Sequence, residues 1–538
     1  MERNLSQFFT KKTAKKAGLA EPYSFFKNGV DPLISSLEYD SRNVKPRSLF
    51  FALPGLHTDG SLYINDAINK GASVIVHEKE INKNDKKDNV IYLKVKNARF
   101  AMSPISAAFY DFPSKRLLVI GVTGTEGKST TVYLIWQLLK LLNKKAGFIS
   151  TVQHCFGDEI QLNIEHQTTP EAPVVQRLLR EMADNDCEYV VLESSSHGLS
   201  PRTNRLGDVN FCCGVLTNLT HEHLEFHGTW EQYRYDKANL FRALDKYRIE
   251  NFKIEKSKNK KQIPFGIVNA DDKSAKYFIK ATKKKCFTYS PAGKDGDIIL
   301  EAIESTTWGN WYIVYTHALK ERINFRDRLP GAFNSANVLA AILTVSNLLK
   351  HPIKDIVPLV KDLKPVKGRM TTIDKGQPFE VVIDYAHTPS SFQAIFPPLR
   401  ERLDKTGGKI ISLFGSAGER DTQKRSEQGQ IAAVYSDIIV LTDEDPRKEI
   451  PMDILEEISK GVEAEKSRHI FNREENLFLI PDRPLAIRKA LSLVQKGDLV
   501  ILLGKGHENS IIYADHVMSF DEISEAEKAL AEIGYNNN

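Results

Sequence analysis

Lys128 and Ser129 stand directly behind a short glycine-bearing stretch, Gly121-Val-Thr-Gly-Thr-Glu-Gly-Lys128-Ser129-Thr-Thr131. Glycines let consecutive backbone N–H groups turn inward around phosphate oxygens, a lysine adds a point charge, and a neighbouring hydroxyl can hold a divalent cation. The spacing is the compact Gly124-x-x-Gly127-Lys128-Ser129, because Val122 stands where the strict pattern has its first glycine. The chemistry implied is binding of a nucleoside triphosphate, with Gly124, Thr125, Gly127, Lys128, Ser129 and Thr130 around its phosphates.

Phosphate binding alone fits kinases, motors, switches and ligases, so the acidic and imidazole side chains elsewhere must discriminate. Glu193-Ser-Ser-Ser-His197 follows an apolar run, and a carboxylate at that place either holds Mg²⁺ at a strand end or caps a helix. Thr217-Asn-Leu-Thr-His221-Glu222-His223-Leu-Glu225-Phe-His227-Gly228 concentrates carboxylates and imidazoles. Such a segment completes a magnesium site or is a solvated polar loop. Lys237, in Tyr233-Arg-Tyr-Asp-Lys-Ala-Asn-Leu-Phe241, reads by spacing alone as an ordinary surface lysine on a helix. Asp384-Tyr-Ala-His387-Thr-Pro389 follows another apolar run and is equally a ligand-facing strand end or a structural cap.

The elements that must carry these residues follow from the pattern of apolar runs. Leu117-Leu-Val-Ile-Gly121 predicts a buried strand ahead of the phosphate loop and residues 130–142 a helix behind it; a helix over 172–185 and strands at 189–193 and 214–217 follow. This alternation predicts an α/β fold with a mostly parallel sheet covered on both faces. The first ~110 residues predict a smaller α/β unit with strands at 49–53, 73–76 and 90–95 and a helix near 63–70. Asp111-Phe-Pro-Ser-Lys115 places a boundary near residue 113. A third α/β unit starts near Leu329-Pro-Gly-Ala-Phe-Asn334, with strands at 381–384, 410–414, 437–442 and 498–504; its Gly415-Ser-Ala-Gly418 loop is no dinucleotide fingerprint. The lysine-rich stretch 246–263 reads as an inserted surface loop.

At 538 residues the chain exceeds one hydrophobic core. A 41% hydrophobic and 27% charged composition excludes a disordered or fibrous class. The net charge of +5 is small and its lysines fall in local runs, which read as solvated faces, so no nucleic-acid partner is expected. Five cysteines without a C-x-x-C pair suit a reducing compartment and argue against zinc. Neither a signal-peptide core nor an apolar run of about 18 residues occurs, so no membrane partner and a cytoplasmic location are expected.

Together these blocks resemble the Mur ligase family, over nearly the whole chain. The resemblance also rests on Tyr39-Asp-Ser41-Arg-Asn-Val, Leu56-His57-Thr58-Asp-Gly, Thr168-Thr169-Pro170, Gly331-Ala-Phe-Asn334-Ser-Ala-Asn337, Gly368-Arg369-Met370 and Gly504-Lys-Gly-His-Glu508. It implies three domains: residues 1–113 gripping a UDP-linked substrate, 114–328 as the ATP-binding centre, and 329–538 as a Rossmann-like domain carrying the incoming amino acid. The implied activity is an ATP-dependent, ADP-forming ligase of peptidoglycan synthesis. It would extend UDP-N-acetylmuramoyl-L-alanyl-D-glutamate by a diamino acid through an acyl phosphate, and a monomer is expected. A folylpolyglutamate-synthase-like ligase lacks a UDP domain of this kind, so residues 39–60 discriminate against it. Intact Lys128, Glu193, His223 and Lys237 argue against an inactive nucleotide-binding homologue.

Carried over position by position, the resemblance makes Lys128, Glu193, His223 and Lys237 catalytic. Ser129, Glu193 and His223 become Mg²⁺ ligands, joined by Lys237 as N6-carboxylysine, whose carbamate turns a cation into an anion. Asn334, Arg369 and Asp384 become nucleotide contacts, and Ser41, His57, Thr58, Thr168, Thr169, Ser195 and Arg205 contacts to the UDP-linked substrate, with Arg202 an alternative to Arg205. Arg420, Glu444, Asp445, Pro446, Arg447, Gly504 and Glu508 become the amino-acid site. Diaminopimelate users in the family usually read Asp-Asn-Pro-Arg where this chain reads Glu444-Asp445-Pro446-Arg447. Arg447 favours diaminopimelate, while the acidic pair suits the terminal ammonium of lysine or ornithine, and the choice stays open. Glu126 is a second departure, since the family usually has asparagine there and a carboxylate beside triphosphate repels it unless paired.

Overall fold

The computed structural model describes residues 1–19, 31–54, 59–82, 84, 86–163, 167–220, 224–248, 263–306, 309–466 and 468–536. The chain divides into two compact units, one of Met1–Leu300 with Val314–Ile323 and Ala336–Leu359, the other of Glu301–Ile313 with Asn324–Ser335 and Val360–Asn538.

Besides a short antiparallel pair, Arg3–Asn4 with Leu33–Ile34, the first unit contains two larger sheets. Strands Ser36–Glu38, Ser48–Phe51, Val74–His77 and Ile91–Lys94 pair in chain order, all parallel. Leu49, Phe51, Val74 and Val76 are fully buried and share a core with the helix Ala98–Phe109. Asn97 starts that helix by accepting the Phe100 N–H at 2.7 Å.

The larger sheet has Leu118–Thr123 at its centre, flanked by Tyr189–Glu193 on one side and Phe211–Leu216 on the other, all parallel. Ala146–Ile149 lies outside Tyr189–Glu193, and Phe265–Asn269 and Cys286–Ser290 continue beyond Phe211–Leu216. All three central strands are buried along their whole length, as sheets covered on both faces require. Gly121 lies mid-strand because the helix Trp230–Leu244 presses against it: a Cβ there would stand 2.4 Å from Leu240 Cδ1 and 2.9 Å from Phe211 Cε1.

The predicted elements recur with shifted ends: helices at Lys128–Leu141 and Ala172–Asp184, strands at Tyr189–Glu193 and Phe211–Leu216. Strands Ile298–Thr306, Gly309–Thr316 and Glu321–Arg326 were not anticipated; in the first and last, exposed charged residues such as Glu301, Glu304, Glu321 and Arg326 interrupt the apolar run. The division between the units passes through them. The helix Asn334–Leu349 is apolar all round, with Val338 to Ile342 completely buried, and residues 336–359 group with the first unit rather than with residues 360–538.

The second unit is built on a six-stranded sheet ordered Thr371–Ile373, Glu380–Asp384, Leu499–Leu503, Ile410–Phe414, Ile438–Leu441 and Leu477–Leu479. All neighbours are parallel except the first pair. Helices Pro389–Thr406, Gln423–Tyr435, Pro451–Ala464 and Arg483–Leu493 supply the crossovers, giving the doubly wound α/β arrangement. Among the described residues no helix is long and apolar enough to cross a membrane.

Candidate active site

Because the three central strands of the first unit are adjacent and parallel, the phosphate loop, Glu193 and Thr217-Asn218 leave the sheet at the same edge. The loop is held from Thr217 and Asn218. Thr125 N–H donates to the Asn218 carbonyl at 2.8 Å, Glu126 N–H to Asn218 Oδ1 at 2.9 Å, and the Thr217 hydroxyl to the Glu126 carbonyl at 2.6 Å. Gly124 and Gly127 have φ of +151° and +78°. A Cβ on Gly124 would stand 1.8 Å from Thr217 Oγ1, and one on Gly127 2.3 Å from Asn337 Oδ1. Glycine is required at both on grounds of space and conformation. Position 126 is fixed through its main chain, so the shape of the loop tolerates a glutamate there.

Two ammonium groups meet this loop. Lys128 Nζ donates to the Thr125 carbonyl at 2.6 Å, and Lys237 Nζ to the Gly124 carbonyl at 2.5 Å. Lys237 is 2% exposed and lies 4.7 Å from the Tyr233 ring centroid, which corrects the surface position its spacing suggested. The reason is the close packing of the helix Trp230–Leu244 over Gly121, which turns the Lys237 face of that helix toward the loop. The Tyr233 hydroxyl, one turn earlier, lies 3.0 Å from Thr125 Oγ1.

The Ser129 hydroxyl lies 2.9 and 3.1 Å from the two oxygens of Glu193, whose Oε2 also accepts the Thr151 N–H at 2.8 Å. Glu193 is 1% exposed, and among the described residues its hydrogen-bond donors are neutral. A buried carboxylate beside a hydroxyl, at the foot of a phosphate loop, is a donor set for a hard divalent cation. His223, expected as a further ligand, lies outside the described residues. His227 does not join it, being buried with Nδ1 2.9 Å from Asp236 Oδ2.

Of the residues expected around the UDP-linked substrate, Thr169, Ser195 and Arg205 form a second group in the same unit. The Thr169 hydroxyl donates to the Glu193 carbonyl at 2.9 Å and accepts the Ser195 N–H at 3.0 Å, and the Ser195 hydroxyl caps the helix Ser196–Leu199. Arg205 donates to the Thr169 carbonyl at 2.7 Å and to Glu171 at 3.0 Å, and the same Glu171 oxygen accepts Arg99 at 2.6 Å. Arg202 instead donates to the Phe226 carbonyl from an exposed position. Thr168 is half-buried, and Ser41 is buried at the start of the turn Ser41–Asn43. His57 and Thr58 lie outside the described residues.

In the second unit, Asp384 ends its strand and accepts the Met370 and Ala386 N–H groups, each at 2.7 Å. Burial raises its pKa above the ordinary carboxylate value, opposed by Arg369. Arg369 stacks 4.6 Å from the Tyr385 ring centroid, and Asn334 donates to the Pro330 carbonyl at 2.7 Å. The acidic group lies at the same edge of this sheet. Lys505 Nζ binds Asp445 at 2.8 Å and Glu508 at 2.5 Å. Burial works against the Lys505 ammonium, and the two carboxylates overcome it, raising its pKa. Burial pushes Glu444 up to about 7, opposed by Lys424 and Lys505. Its buried Oε2 has no hydrogen-bond partner among the described residues and packs against Gly504. Arg447 adopts φ +55° just after Pro446, and Arg420 is exposed.

Matches to known proteins follow this layout. Residues 33–110 match the model of the Mur ligase family catalytic domain, 122–345 the Mur ligase middle domain, and 368–506 the Mur ligase glutamate ligase domain. A UDP-N-acetylmuramyl-tripeptide synthetase of Treponema denticola is 50% identical over 97% of this chain and 98% of its own length. The chain belongs to the Mur ligase family. A UDP-N-acetylmuramoyl-L-alanyl-D-glutamate–2,6-diaminopimelate ligase of Caldanaerobacter subterraneus is 36% identical, over 93% of this chain and 95% of its own. A solved structure of a ligase with that name covers 93% of this chain and 95% of its own at 25% identity, with a TM-score of 0.59.

This Mur ligase also uses residues that the sequence reading passed over. Thr217, Asn218, Tyr233 and Asn337 hold the phosphate loop, and Lys505 neutralises the acidic cluster. Asn218, Asn337 and Lys505 sit inside the motifs quoted above, so the signal was present but carried no role. Tyr233 had no signal beyond its spacing on a helix.

Proposed function

We propose that this Mur ligase joins a diamino acid to the free carboxylate of UDP-N-acetylmuramoyl-L-alanyl-D-glutamate, using ATP and Mg²⁺, in peptidoglycan synthesis in the cytoplasm. The observation that carries the reading is the Ser129–Glu193 contact under a phosphate loop that also meets Lys128 and Lys237. The names of the similar tripeptide synthetase and diaminopimelate ligase support it.

The substrate carboxylate attacks the γ-phosphorus of ATP, the bond to the bridging oxygen breaks, and ADP leaves. The incoming amine then attacks the acyl carbon, phosphate departs, and the nitrogen loses a proton to leave an amide. Backbone N–H groups of Gly127 to Thr130, those of Thr125 and Glu126 being taken by Asn218, and the Lys128 ammonium hold the phosphates and oppose the charge that builds on the transferring group. Mg²⁺, when bound, neutralises phosphate charge, with Ser129, Glu193, His223 and carbamylated Lys237 as its holders. Asn334, Arg369 and Asp384 hold the nucleotide; Ser41, His57, Thr58, Thr168, Thr169, Ser195 and Arg205 orient the UDP-linked substrate. Arg420, Glu444 to Arg447, Gly504 and Glu508 take the amino acid. The reading assigns these tasks to domains at 1–113, 114–328 and 329–538 of a monomer.

The test is phosphate release by the purified protein with ATP and Mg²⁺, with meso-diaminopimelate, L-lysine or L-ornithine as acceptor. Release that needs both the UDP-linked dipeptide and a diamino acid, with a product heavier by one residue, is expected. Release with neither, or none at all, overturns the reading.

A further inference from the structure

We propose that Arg483 and Glu522 are positioning residues of the amino-acid site, a buried ion pair that sets the distance between the two loops gripping the incoming diamino acid. The inference rests on the ligase reading above and adds residues that lie in none of its motifs.

Arg483 opens the helix Arg483–Leu493 and is fully buried, as is Glu522 at the start of Glu522–Glu532. The guanidinium has acceptors on several sides. Nη1 donates to the Asp443 carbonyl at 2.9 Å, Nη2 to the Leu503 carbonyl at 2.7 Å, and Nε and Nη2 both to Glu522 Oε1, at 2.9 and 2.6 Å. Those carbonyls belong to the residues immediately before Glu444 and Gly504, where the two loops begin.

The strands that deliver these loops, Ile438–Leu441 and Leu499–Leu503, are not neighbours, because Ile410–Phe414 lies between them. No ladder of sheet hydrogen bonds links their ends directly. The Arg483 fork does so, one nitrogen on each carbonyl, and Glu522 fixes the plane of the fork. Arginine is needed because its donors diverge from a rigid plane, whereas one ammonium cannot reach the same acceptors in the same geometry. Misplacing a binding group by about 1 Å weakens positioning without removing any contact residue.

A buried ion pair can be exchanged for apolar side chains of similar volume with the fold retained, which separates positioning from stability. The variants are Arg483→Lys, Glu522→Gln and the double exchange Arg483→Met with Glu522→Leu. Steady-state kinetics would be read with each of two diamino acids. The ratio of the two kcat/KM values does not depend on how much enzyme is folded, so a purely structural role leaves it unmoved. The expected result is a rise of about tenfold or more in the amino-acid KM and a narrowed ratio, with KM for ATP and the UDP-linked dipeptide within about twofold of the parent. A folded variant with both the amino-acid KM and the ratio unchanged overturns the proposal, as does failure of all three variants to fold. Wild-type protein inactive with every diamino acid instead overturns the ligase reading beneath it.

Discussion

The Ser129 hydroxyl lies 2.9 Å from Glu193 Oε2 although 64 residues separate them in the chain. One stands at the head of the helix behind the phosphate loop and the other at the end of the adjacent parallel strand, so the contact is a product of sheet order. If this pair holds Mg²⁺, Ser129→Ala raises the Mg²⁺ concentration for half-maximal rate by about tenfold or more. A magnesium titration of phosphate release checks this, and an unchanged midpoint would count against the assignment.

Lys237 meets the Gly124 carbonyl from inside the protein, beside the place where triphosphate is expected. Lys237→Ala is expected to lower kcat by about a hundredfold or more. Formate or acetate should restore part of the rate by standing in for the carbamate oxygens. Mass spectrometry of native protein with and without bicarbonate gives an independent reading, and absence of rescue would weaken the carbamate.

Glu444, with its pKa raised to about 7 by burial, is largely neutral at pH 6 and ionised at pH 8. Pairing with a substrate ammonium needs the ionised form, so the amino-acid KM should fall by up to about tenfold between pH 6 and pH 8. Glu444→Gln should flatten that profile. The linkage to folding has the opposite sense. The folded state binds the extra proton between about 4.5 and 7, so ionisation costs stability as pH rises through that window, and the glutamine variant should lose less stability over it.

Gly121 sits where the helix bearing Lys237 touches the sheet, with Leu240 Cδ1 2.4 Å from where a Cβ would be. Gly121→Ala should cost about 1–3 kcal/mol through overpacking. A lowered denaturant midpoint, together with a fall in kcat as Lys237 shifts, is the expected outcome. Unchanged stability would mean that Leu240 repacks freely.

Much of this was legible beforehand. The phosphate loop, the parallel alternation around it and the approximate places of the strands beside it follow from local patterns, apolar runs and glycine spacing, which act over a few residues. Burial of Lys237 was not legible, since its flanking residues are those of a surface helix and only the packing against Gly121 and Phe211 turns it inward. Nor was the place of the helix Asn334–Leu349, which follows from an apolar surface that needs covering all round.

What the amino-acid sequence determined alone is the inventory: a triphosphate loop, strand-end acids and imidazoles, and motifs in the order of one ligase family. What only the tertiary structure decided is which of these touch. Ser129 meets Glu193, Lys237 meets Gly124, Lys505 stands between Asp445 and Glu508, and Arg483 spans two strands that do not pair. Apart from the local Lys505–Glu508 pair, each of these contacts joins residues distant in the chain, and the parallel sheet brings them together by delivering its strand ends to one edge.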